Sequence, residues 1–253
     1  MKIRRLILLL AVIVLGSVIY SCSEDESTSP STNLQMSDYY PSTPGSWWYY
    51  KHYNIDSLGN REFQWNDSVY IGEPAMIDGH EAITRITVSD YDNEINIDTN
   101  YYYTDGSRLF IYGDSYLNQE EFKWRLYVDF SKQNWEILKE EFHVDSMYQI
   151  PNNGGSFRLK RDIIDDLTGS QYQDRNFTVK GNNITAKGIE TYWLLSIYNL
   201  GFGEEYFDEL VIKDHFWLAK GIGIVHDQLE RSNGTVSDLR EYIIELVDYH
   251  IIR

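Results

Sequence analysis

From residue 39 onward apolar and polar side chains alternate with a period of two, and Gly, Asn and Asp pairs interrupt the alternation at short intervals. That rhythm suits extended backbone, whose successive side chains point to opposite faces; a helix would need apolar residues three and four apart. Residues 47–56 and 61–72 alternate on either side of Ser57-Leu58-Gly59-Asn60, a hairpin that puts Phe63, Trp65, Asp67, Val69 and Ile71 on one face. Residues 81–90, 94–104 and 108–112 continue the pattern, with Asp105-Gly106 as a two-residue hairpin signal. Phe122, Trp124, Leu126, Val128 and Phe130 alternate without a gap, and residues 135–144 supply a further strand. Residues 157–164, 176–180 and 190–198 are less regular, and 161–167 reads as a short helix. Residues 207–218, 222–231 and 236–249 close the chain as three long strands.

The fold class expected is therefore all-β: an antiparallel meander forming a curved half-barrel or barrel-like sheet, with at most one short helix. Hydrophobic residues make up 42% of the chain and aromatic ones 15%, enough for a packed core. Cys22 is the single cysteine, so no disulfide staples the fold and size has to stabilise it.

The N-terminus has a different grammar. Lys2, Arg4 and Arg5 precede an apolar run over residues 6–19, too short for the roughly 20 residues of a spanning helix, and Ser21-Cys22 follows at a cleavage position. The tetrapeptide Ile19-Tyr20-Ser21-Cys22 resembles the lipobox of bacterial lipoproteins, which implies acylation of the Cys22 sulfur and membrane attachment through two or three chains. Ser23-Glu24-Asp25-Glu26 resembles the acidic export signal that carries such lipoproteins of Bacteroidota-type bacteria to the outer face of the outer membrane. The predicted organisation is a signal peptide over 1–21, an acylated cysteine with a flexible acidic and Ser-rich tether over 22–37, and one β domain over 38–253. The tether would reach on the order of 20 Å from the bilayer.

Three segments resemble the phrases of a group of lipid-anchored and secreted β proteins from Bacteroidota-type bacteria. They are Tyr40-Pro41 with Gly45 and Trp47 to Tyr50, then Val128-Asp129-Phe130-Ser131 with Trp135, then the run from Trp217 through Lys220-Gly221-Ile222-Gly223 to Val225. The resemblance implies a shared β architecture and carries no activity with it.

Charge and motifs exclude several functions. Loss of the three basic residues of the leader takes the net charge from −17 to −20, which repels nucleic acid and anionic headgroups. Asp90, Asp92, Glu94, Asn96 and Asp98 recur at every second position, but an EF-hand needs glycine where Ile95 stands, and alternation alone explains the spacing as the wet face of a strand. None of the six histidines pairs with another at metal-ligand spacing, no Gly-x-Ser-x-Gly elbow exists, and Gly221-Ile222-Gly223 marks a bend and not a dinucleotide site. No metal or cofactor is expected. Paired carboxylates need only meet in space, and among 39 acidic residues no pair stands out by spacing.

The remaining chemical signal is aromatic. Trp47, Trp48, Tyr50 and Tyr102 are candidate binding residues, because rings beside carboxylates suit a glycan, a peptide or a neighbouring envelope protein, although stacking across strands accounts for many such rings. The expected function is a non-enzymatic binding or structural lipoprotein, anchored through Cys22 in the outer membrane and displayed on the cell surface. A half-barrel carrier of an amphiphile is the alternative, and an envelope hydrolase with paired acids a third.

Overall fold

A computed structural model describes residues 34–92, 94–113, 122–149, 156–201, 204–233 and 236–252. One helical turn, α1 (Met36–Tyr39), precedes β1 (Trp47–Ile55), β2 (Arg61–Ile71), β3 (Ala75–Ile77), β4 (His80–Tyr91), β5 (Glu94–Asp105), β6 (Arg108–Gly113) and β7 (Lys123–Asp129). Then follow β8 (Asn134–Gln149), β9 (Ser156–Val179), β10 (Asn182–Gly201), β11 (Glu204–Ala219), β12 (Gly223–Asn233) and β13 (Val236–His250).

All ladders are antiparallel, and the strand order is β7-β6-β5-β4-β2-β1-β13-β12-β11-β10-β9-β8, with the short β3 beside β4. The chain thus meanders from β1 to one edge and returns from the other edge to β13, which pairs with β1. The edge strands β7 and β8 are consecutive in sequence, so their short connection brings the two edges of the sheet face to face. Side chains replace the missing ladder there: Trp135 Nε1 donates to the Tyr127 carbonyl at 2.9 Å, and Arg125 and Lys123 each approach Glu140 at 3.5 Å. The result is an antiparallel barrel, closed except at one seam, as strand twist and tilt allow for this many strands.

Strands β8 to β11 have 16, 24, 20 and 16 residues, while β1 to β7 have at most 12, so one side of the barrel extends beyond the other. Residues 161–167 are not helical. They lie within β9, where Arg161 pairs with Asn199 and Leu167 with Trp193, and Ile163 and Asp165 turn inward and are buried. The adjacent isoleucines 163 and 164 blur the alternation locally, and pairing on both sides overrides the local preference. The one helix among the described residues is α1.

The packed domain also starts earlier than residue 38. Met36 is fully buried, Leu34 packs against the same core, and the Met36 N–H donates to the Gly106 carbonyl at 2.8 Å. Asp38 is held by the turn after β11, its carbonyl accepting from the Gly221 N–H at 2.6 Å and its carboxylate pairing with Lys220 at 2.9 Å. Gly221 and Gly223 have φ of 72° and 99° there, the left-handed region that side chains avoid. Tyr39 and Tyr40 then drop into the barrel against Phe130 and Tyr102, at 5.1 and 5.3 Å between ring centres. Residues 34–41 are thus a plug in one end of the barrel. All three recognisable phrases meet at this end: the first carries Tyr40 and β1, the second forms the turn at the seam, and the third grips α1 and β1.

At the opposite end the β4–β5 hairpin projects. Ile95 and Ile97 are 75% and 69% exposed, so both faces of the acidic segment are wet, not only the face that carries the carboxylates.

Candidate functional site

The interior side chains do not fill the barrel. A partly open cavity of about 330 Å³ lies at its centre, with Tyr40 of the plug at one side. Period-two geometry selects its wall. On β1 the even positions face in, on β2 the odd ones, and the register Tyr50↔Asp67 and Ile71↔Arg85 carries that face across to β4. Leu109, Ile111, Phe216, Leu218 and Ile244 supply apolar wall; Tyr40, Tyr50, Tyr102 and Tyr127 supply phenols; Arg85, Asp67 and Asp227 supply charge.

Each charged group is held differently. Asp67 Oδ2 bonds His52 Nε2 at 2.8 Å, and burial, which works against its charge, is outweighed by hydrogen bonds from His52 and Ser89, so its carboxyl stays below the usual carboxylate range. Asp227 stands on β12 and Asp214 on the adjacent β11, with their carboxyls hydrogen-bonded to each other. Burial pushes both upward, Asp214 well above the usual range, with the neighbouring Asp227 charge adding to it. Asp214 Oδ1 and Asp227 Oδ1 are both cut off from solvent without a hydrogen-bond partner. A proton held between the two carboxyls accounts for their proximity. Glycosidase acids stand roughly 5–9.5 Å apart, to admit substrate or water; these two touch.

Arg85 is bonded to the Tyr102 hydroxyl and has Tyr40 and Tyr50 close by. Burial works against its charge, but these phenolic oxygens outweigh that and keep it firmly protonated. Burial likewise pushes the hydroxyls of Tyr40, Tyr50 and Tyr127 up, so all are neutral phenols.

The four aromatic candidates fall in different places. Trp48 is buried and donates from Nε1 to the Ile222 carbonyl at 2.5 Å. Tyr50 is buried, donates to the Ile224 carbonyl at 2.9 Å and borders the cavity. Tyr102 also lines the cavity. Trp47 faces the other side of β1 and stacks on His250 at 6.4 Å. Cys22, Ser23, Glu24, Asp25 and Glu26 lie outside the described residues. Among the described residues no three His, Cys, Asp or Glu side chains converge as a metal ion would require.

Sequence reading passed over Tyr40, Arg85, Tyr127, Asp214 and Asp227 as site residues. The one available signal was a charged residue at an inward position, as with Arg85 between Ile83 and Thr87. It becomes readable only once the inward face is known.

No protein-family model and no curated protein sequence matches the chain. Two crystal structures resemble it in fold. One is described as a "putative lipoprotein" from Parabacteroides distasonis, 14% identical, covering 84% of this chain and 98% of its own, with a TM-score of 0.48. The other is a "putative exported protein with YmcC-like fold" from Bacteroides fragilis, 10% identical, with the same coverages and a TM-score of 0.43. At these values the likeness carries no functional information for this chain.

Proposed function

We propose that this protein is a lipid-anchored, non-enzymatic binding protein of the bacterial outer membrane, displayed on the cell surface, that takes a small amphiphilic ligand inside its barrel. The observation that carries the reading is the cavity. A barrel stabilised by packing gains nothing from a central space of about 330 Å³ walled by apolar side chains, neutral phenols, one guanidinium and two carboxyls. Its volume lies at the lower end of the roughly 300–1,000 Å³ typical of small-molecule sites. Trp48 is buried in the core and Tyr50 is engaged in the wall, which favours an internal ligand over a glycan spread on exposed rings. The hydrogen bond between the Asp214 and Asp227 carboxyls brings them closer than the acids of a paired-acid hydrolase, which favours binding over catalysis.

The sequence of residues 1–26 supports the anchor. Mature protein taken from native membranes in mild detergent should carry acyl chains on Cys22 by mass spectrometry, and Cys22→Ala should release it to the soluble fraction. Denaturing the wild type should free a small molecule in stoichiometric amount. Ile111→Trp, which fills the cavity, should co-purify without it; equal recovery from that variant, or none from either, would overturn the internal site.

A further inference from the structure

We infer that Arg85 receives the negative end of the ligand, and that the cavity selects a small organic anion, a carboxylate on a short apolar body. This rests on the cavity being the binding site, as proposed above.

Arg85 sits on the inward face of β4 between Ile71 of β2 and Asn100 of β5. Among the described residues no carboxylate lies within ion-pair distance of its guanidinium. The two acids that share the cavity wall are engaged elsewhere, Asp67 with His52 and Asp227 with Asp214. A half-buried guanidinium on a cavity wall without a facing anion is open to one, and arginine's planar fork of donors matches a carboxylate.

Tyr102 completes the cradle. Its oxygen bonds both Arg85 and Tyr40, and with those two as donors it keeps its own proton to give. An anion beside Arg85 would therefore meet guanidinium N–H groups and one phenolic O–H together. The apolar part of the wall, with Leu109, Ile111, Phe216 and Ile244, suits an apolar body, and the carboxyls of Asp67 and Asp227 disfavour a second negative charge.

The test is calorimetric titration of the mature protein with benzoate and with straight-chain carboxylates of two to ten carbons, each set against its neutral amide or alcohol. At least one carboxylate should bind about tenfold or more tightly than its neutral counterpart. Arg85→Met should erase that preference, lowering carboxylate affinity far more than that of the neutral counterpart. Arg85→Lys should retain part of it, and Tyr102→Phe should weaken the carboxylate more than its neutral counterpart. Equal binding of anion and neutral isostere, unaffected by Arg85→Met but lost in Ile111→Trp, would overturn the assignment of Arg85 and leave the cavity as the binding site. Absence of binding by both sets would overturn the anion site, and an empty stoichiometry after denaturation would take the internal site with it.

Discussion

The ring of Trp135 lies directly over Gly169, its cross-strand partner on β9: a Cβ built on Gly169 would fall 2.3 Å from Nε1 and Cε2 of the indole. The indole occupies this place because it also spans the seam to the Tyr127 carbonyl, where no ladder joins β7 to β8. Gly169→Ala should therefore destabilise the barrel by about 1–3 kcal/mol, as overpacking of a fitted core does. In a chain of this size that is a fall in Tm of roughly 2–12 °C. Trp135→Ala should cost about 3–5 kcal/mol, and adding Gly169→Ala to it should cost little more, because the clash is gone. Additive losses in thermal melts of the two singles and the double would refute the coupling.

Exposure separates two sets of apolar residues that look alike in the sequence. Met36 is fully buried in the plug, whereas Ile95 and Ile97 are largely exposed on the projecting hairpin. Met36→Ala should cost about 2–5 kcal/mol, and Ile95→Ser with Ile97→Ser should stay within about 0.5 kcal/mol each. Urea unfolding of the variants checks the order; a neutral Met36→Ala would show that residues 34–41 do not plug the barrel.

The Asp214–Asp227 pair makes stability depend on pH in a stated direction. Burial raises both carboxyls in the folded state, and the Asp227 charge raises Asp214 further, so their contribution is fully present below the usual carboxylate range and is lost as pH rises through the folded values. Asp214→Asn supplies a permanent donor to Asp227 and removes the dependence. At pH 8 it should raise Tm by a few degrees relative to wild type, about 1–2 kcal/mol, and at pH 4 the gap should close. A gap that widens on acidification would contradict the shared proton.

Two histidines should titrate on opposite sides of the ordinary value. His226 is packed against Phe177 and Trp217, at 5.2 and 5.4 Å, and burial takes it down to about 4. The unfolded chain takes up this proton near the usual histidine range, so the stability contributed by neutral His226 is lost as pH falls from about 6.5 to about 4. His143 lies in solvent beside Asp162, at 2.9 Å, and Glu141, which hold it above the ordinary value. NMR titration of the ring protons should show His143 charging at higher pH than His226.

Much of the barrel was legible because one periodicity runs through most of it. The boundaries of β1, β2, β5 and β6 follow from alternation and from turn pairs such as Asp105-Gly106, where local chemistry and tertiary pairing agree. Residues 161–167 and Met36 were misread for one reason. Two neighbouring isoleucines, or a methionine in a Ser-rich stretch, carry no local sign of the strands and turns that bury them.

The order of side chains along the chain determined the all-β class and the hairpins, since each depends on neighbours in sequence alone. Closure by β1 against β13, the seam bridged by Trp135, and the meeting of Tyr40, Arg85, Tyr102 and Asp227 around one cavity were decided only in three dimensions. Alternation tells which side chains share a face, but the curl of the sheet chooses which face becomes the inside, and that choice turned an ordinary arginine on a strand into a cation on the cavity wall.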